Sequence, residues 1–317
     1  RNLRGIRHMT AEKNNPRSEV NLAGDSGSGA GGAAGLPAKI ARYGEARRKA
    51  LVMQSFADQH GHVKEAGKLA NCANYLLFRH YFTVDQVRLY AASFCKKHLL
   101  CPMCAIRRGA KMLKAYLEKY EAVRQQEGHL RPYLVTLTVK NGDDLDERLR
   151  HLRAAMRRMT QARRDHHSNS KKNRFVEFAR SMGGFHSIEV TNKGKGWHPH
   201  VHMIWLCASE PDQEALSAEW MAWTGDSHVV DVRPLHDPVE GFMEVCKYAL
   251  KFSDLEPADN WHAYEVMGGQ RLIDSHGLMR GVEIPDSLTD EPLDDLPFVE
   301  LLYRYIVGAG YAFTPRD

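Results

Sequence analysis

Apolar and polar positions change period several times along the chain, and the changes mark its elements. From about Ala38 to residue 60 apolar residues recur at helical spacing. A second helical stretch covers about 106–128, with Ile106, Met112, Leu113, Tyr116 and Leu117 in one stripe. The pattern then turns to strand. RPYLVTLTVKNG (131–142) is rich in β-formers and closes on Asn141-Gly142, a turn pair. GFHSIEVTN (184–192) and HPHVHMIWL (198–206) read as a hairpin joined by NKGKG (192–196), and HVVDVRPL (228–235) as a fourth strand. Helices are predicted over 143–181, 210–223, 238–253 and around 296–307. Strand–helix–strand–strand–helix–strand–helix predicts an α+β sandwich on a largely antiparallel sheet flanked by helices.

Composition divides the chain. Residues 17–37 are rich in Gly, Ala and Ser, so 1–40 reads as disordered or a linker. Residues 41–130 read as a helical, Cys-rich DNA-binding segment, 131–255 as the α+β core that would carry any catalysis, and 256–317 as an acidic C-terminal segment. The chain opens on Arg1, and residues 1–8 read as vector-derived or as sequence upstream of a start at Met9. No apolar run approaches the roughly 20 residues that span a bilayer, and the first residues lack a signal-peptide core. The expectation is a cytoplasmic protein with no membrane association.

The net charge of +5 is modest, but its distribution is informative. Leu145 to Arg180 holds eleven Lys/Arg against four Asp/Glu, and Asp254 to Glu300 twelve Asp/Glu against two Lys/Arg. The first segment suits a phosphate-bearing partner, with Arg157 and Arg158 on its basic helix as candidate DNA contacts; a solvated helix face is the plainer alternative.

His200 and His202 are two apart on a strand and so share one face, a bidentate metal half-site. Glu189 lies across the hairpin. A carboxylate, two imidazoles and open positions suit Mn2+ or Mg2+. His198 falls on the same face, either as a ligand in place of His202 or as a rim residue. Downstream, a helical Met243–Lys251 would stack Glu244, Tyr248 and Phe252 at i, i+4 and i+8, with Lys247 and Lys251 beside Tyr248 as further candidate DNA contacts. A phenol is a weak nucleophile near neutral pH, and a nearby cation favours its phenolate.

Of six cysteines, Cys101 and Cys104 have zinc-knuckle spacing, and Cys72 and Cys95 complete a four-thiol set for structural Zn2+, with His98 as the substitute for either. Buried thiols are the alternative. Arg107, Arg108 and Lys111 leave the knuckle on a helix that could meet phosphate.

The order LVTLTVKN (134–141), HPHVHMI (198–204), EVCKYALK (244–251) resembles the three motifs of the HUH endonucleases. More narrowly it is similar to the rolling-circle plasmid replication initiators with a single catalytic tyrosine, and FCKKHLLCPMCAIRR (94–108) resembles their Cys-rich segment. The resemblance covers roughly residues 68–255. It implies a ferredoxin- or RRM-like core with the His pair on a central strand and the tyrosine on a helix facing it. It implies that Tyr248 nicks one strand at the double-strand origin of a plasmid through a 5′-phosphotyrosine, freeing a 3′-OH that a host polymerase extends while a host helicase unwinds. His200 and His202 carry over as metal ligands with Glu189 as the third, and Glu244 as the group serving a terminating hydrolysis. Tyr264, Tyr303, Tyr305 and Tyr311 lie outside the motifs and read as structural. Competing expectations are a conjugative relaxase or HUH transposase, and, from another class, a non-catalytic zinc-containing DNA-binding regulator. Oligomer formation is left open.

Overall fold

The computed structural model describes residues 32–168 and 174–315. The expected linker over 1–40 falls mostly on residues outside this set; within it, helix α1 (Leu36–Gln59) already begins at Leu36.

The core is a five-stranded antiparallel sheet in the order β6-β3-β5-β4-β7, formed by β3 (Arg131–Thr138), β4 (Ser181–Asn192), β5 (Trp197–Cys207), β6 (Val230–Pro234) and β7 (Ile273–Gly277). β5 is central, which explains its sequence. Its first half alternates in burial, while Met203–Cys207 is buried on both faces and reads as an unbroken apolar run. Pro199 is tolerated there because it lies beyond the last regular β3 pair, Thr138 with His200.

Helices cover both faces. α4 (Leu145–His167) packs against β5 and against α5 (Gln213–Thr224). Asp144 caps α4 by accepting from the Glu147 amide at 3.0 Å. The opposite face receives α3 (Pro102–Gln126) and α6 (Pro238–Cys246): Tyr116 of α3 stacks on Phe185 with ring centroids 3.9 Å apart, and Phe242 of α6 meets the same ring at 5.0 Å. Phe185, Ser187 and Glu189 alternate along β4 toward this side. α2 (Val63–Asn71) and α7 (Pro257–Met267) complete the helices, none of which, among the described residues, is long and apolar enough to cross a membrane.

The helix expected over 143–181 ends at His167, and Ser181 already opens β4. Two further expectations are corrected. Residues 75–92 form a hairpin, β1 (Tyr75–Tyr81) and β2 (Gln86–Ala92), inside the segment read as helical. The predicted helix around 296–307 is strand β8 (Val299–Ile306), which pairs with β1 and with β9 (Gly310–Thr314). The tail thus closes a second antiparallel sheet, β2-β1-β8-β9. VELLYRYI carries enough apolar residues to satisfy either period, and its partner, β1, is more than two hundred residues away.

Candidate active site and cysteine cluster

Register brings the predicted ligands together. Glu189 on β4 lies directly opposite His200 on β5, and Ser187 opposite His202. Nε2 of His200 is 3.3 Å and Nε2 of His202 is 3.6 Å from the same Glu189 oxygen, Oε2. An ion with ligands at about 2.1 Å in octahedral geometry separates neighbouring donors by roughly 3.0 Å, so the spacing fits one. The donors are preset. His202 Nδ1 is 3.0 Å from the Thr136 hydroxyl, and His200 Nδ1 is 3.2 Å from the His198 carbonyl, each leaving Nε2 to the cluster. Among the described residues neither Glu189 carboxylate oxygen has a hydrogen-bond partner, though the side chain is only 1% exposed. Buried orphan oxygens facing two imidazoles are what a cation would satisfy. Burial alone would raise the Glu189 pKa, but His202, His200 and Lys251 bring it down to about 2, so the carboxylate is ionised. Burial also lowers the His202 pKa against the pull of Glu189, favouring the neutral ligand form. His198 is held on Asn141 Oδ1 at 2.5 Å and is a rim residue beside the cluster. The Ser187 hydroxyl, buried beside the cluster without a hydrogen-bond partner among the described residues, was not signalled by any motif.

The tyrosine segment departs from expectation. α6 ends at Cys246 with Lys247 as its C-cap, and Tyr248–Asp254 continues as a 3-10 helix. The break at Lys247, with φ −89° and ψ 12°, takes Tyr248 out of the α-helical register of Glu244. Glu244 pairs with Lys247 at 2.9 Å and Lys251 at 3.8 Å, and both Glu244 and Lys251 act on the Glu189–His202 cluster. Burial raises the Glu244 pKa, but the two lysines outweigh it and hold the group below its usual value. Tyr248 is 4% exposed. Its ring meets His98 edge-on at 6.3 Å, and its pKa is raised by burial and held back by Arg108. The cation beside the phenol is therefore Arg108, not Lys247 or Lys251.

The four cysteines converge. Sγ of Cys72 is 3.5 Å from that of Cys101 and 3.6 Å from that of Cys104, and Cys95 is 3.5 Å from Cys104. Zinc held by four sulfurs at about 2.3 Å sets them roughly 3.8 Å apart, so the set fits a tetrahedral site. The Cys95 amide donates to Cys72 Sγ at 3.4 Å. Sulfur contacts from the other thiols favour the Cys95 thiolate, while Cys101 and Cys104 are pushed up.

The DNA-contact candidates divide. Arg107 is fully buried: it pairs with Asp290 and donates to the Leu288 carbonyl at 2.7 Å and the Tyr43 hydroxyl at 3.0 Å. Lys111 is 6% exposed. Neither side chain is accessible to duplex DNA in this fold. Arg157 and Arg158 are exposed on α4.

Residues 86–300 match the family described as "Replication protein". The chain is 33% identical over 276 residues to a "Protein rep" from Bacillus sp, covering 74% of this chain and 85% of that one. It is 32% identical over 278 residues to a "Protein rep" of Bacillus amyloliquefaciens, covering 75% and 77%. A third "Protein rep", from Streptococcus pneumoniae, is 30% identical over 54% of this chain and 52% of that one. No solved structure matches. With the motif order, the antiparallel core and these relatives in agreement, the chain belongs to the replication protein family, the rolling-circle plasmid replication initiators.

Proposed function

We propose that this protein initiates plasmid replication by nicking one strand at the double-strand origin with Tyr248, and that Glu244 serves termination. The observation that carries the reading is the buried, hydrogen-bond-orphaned Glu189 carboxylate facing His200 and His202, with Glu244 and Lys251 of the tyrosine segment acting on the same cluster.

Glu189, His200 and His202 would hold the divalent ion, Mn2+ or Mg2+, which when bound supplies Lewis-acid stabilisation of charge at the phosphate. Tyr248 Oη forms a bond to phosphorus as the bond to the 3′ oxygen breaks. The strand's 5′ phosphate stays on the tyrosine, and the phenol proton is balanced by one taken up on the departing 3′ oxygen. The 3′-OH then primes a host polymerase while a host helicase unwinds the duplex. At termination Glu244 takes a proton from water, the water oxygen bonds to phosphorus, and the phenol leaves and recovers a proton. Because Tyr248 is buried and shielded by His98, the strand must enter as single-stranded or extruded DNA. Zinc on Cys72, Cys95, Cys101 and Cys104 would fix the loop that carries His98. Arg157 and Arg158 would contact the duplex on either side.

The test is a gel assay on supercoiled plasmid carrying the cognate origin, with Mn2+ or Mg2+. Relaxed circles and a DNA-linked protein band are expected from the wild type and absent from Tyr248→Phe. Nicking that survives in Tyr248→Phe would move the nucleophile to water or to another residue and end this reading.

A further inference from the structure

Arg107 and Arg108 are neighbours on α3 with opposite surroundings. Arg107 is neutralised by Asp290. Arg108 has no carboxylate within ion-pair distance among the described residues, and its Nε is buried without a hydrogen-bond partner. The residue is half-buried and acts on the Tyr248 phenol, so it keeps one buried, unpaired N–H and no counter-charge, and its planar fork matches phosphate oxygens.

What Arg108 faces completes the picture. It lines a cavity of about 640 Å³ together with Lys96, His98, Tyr248 and Tyr264, a size within the usual range for small ligands. The cysteine loop supplies one wall and the α7–β7 region another. The carboxylate on that wall, Asp274, is engaged by Arg271 at 3.4 Å. Tyr264 accepts a hydrogen bond from Lys97 Nζ at 2.8 Å. The cavity therefore joins cations to aromatic rings beside the nucleophile, which is the chemistry of a site for single-stranded DNA.

We infer that this cavity seats a backbone phosphate of the single strand passing Tyr248, with Arg108 as its clamp. The inference rests on the tyrosine-nicking reading for the identity of the strand, and it turns the cysteine loop from a duplex contact into a wall of the nick site.

The test separates binding from cleavage. Affinity for a short single-stranded oligodeoxynucleotide is measured by anisotropy across a salt series, without added divalent ion, in the Tyr248→Phe background. Arg108→Ala is expected to weaken binding roughly tenfold and to make the salt slope shallower by about one. Arg108→Lys is expected to keep the slope and to lose about threefold in affinity with the bidentate fork. Zinc content and melting temperature confirm that each variant is folded. If Arg108→Ala does not fold, the Lys variant decides by the same loss. Unchanged affinity and slope in the folded variants overturn the inference, as does Arg108→Ala that binds normally in this background but cleaves slowly when Tyr248 is intact, which would make Arg108 a partner of the phenol alone. Nicking by Tyr248→Phe would remove the nicking reading without touching the binding result.

Discussion

His202 is oriented by Thr136: its Nδ1 lies 3.0 Å from the Thr136 hydroxyl, directly across the β3–β5 pair, and Nε2 is thereby turned toward Glu189. Replacing the hydroxyl with a methyl keeps the strand and its β-branched shape but frees the imidazole to rotate and change tautomer. Thr136→Val is expected to weaken Mn2+ binding about 10- to 100-fold, read by calorimetric titration, with melting temperature little changed. Wild-type Mn2+ affinity in this variant would show that the imidazole is fixed by other means.

Glu244 offers a sharper division of labour. Its charge is held by Lys247 and Lys251, so Glu244→Gln removes a base without opening a cavity. Initial nicking is expected to persist, while hydrolysis of the DNA-linked protein slows about 10²- to 10⁴-fold, the usual worth of a positioned base. The adduct band should therefore accumulate with time. A variant that fails to nick, or that clears the adduct at the wild-type rate, would sink the assignment of Glu244 to termination.

The cysteine set makes a claim about composition. Four sulfurs mutually within 4.8 Å predict about one zinc per chain by elemental analysis, and Cys101→Ser should lose it. Because the loop between Cys95 and Cys101 carries His98, zinc loss should also raise the proteolytic sensitivity of residues 94–101. Purified protein that holds no zinc yet resists proteolysis there would return the cysteines to plain buried thiols.

Much of the candidate site was legible because it is local. HPHVH places two imidazoles on one face by period alone, and the hairpin turn NKGKG sets the register that puts Glu189 opposite His200. The orientation of Tyr248 was not legible. It depends on a helix that ends at Cys246, one residue before its C-cap Lys247, and the apolar pattern of 238–253 continues through that point without a Gly or Pro to mark it. The fate of Arg107 was hidden for another reason: its carboxylate partner is 183 residues away in a tail that sequence reading treated as a separate acidic segment. Adjacent arginines in a sequence carry no sign of which one a distant loop will neutralise.

That pair supplies a stability prediction. Asp290 accepts from the Leu89 amide at 2.7 Å as well as from Arg107, and both charges are buried. Burial would raise the Asp290 pKa, but Arg107 and the amide hold it below the usual value. Since the folded-state pKa is depressed, the pair's contribution is fully present above the unfolded value of about 3.9 and is lost as pH falls through the lower folded value. Urea midpoints should thus be insensitive to this pair between neutral pH and about pH 5, and fall below about pH 4. Asp290→Ala strands the Arg107 charge in the interior and is expected to cost about 3–5 kcal/mol at neutral pH. The double change Arg107→Met with Asp290→Leu should recover much of that loss and flatten the acid limb, because neither side then carries a buried charge. If Asp290→Ala is as stable as the wild type at neutral pH, the tail is not anchored by this pair, and Arg107 must be counted again among the cations available to DNA.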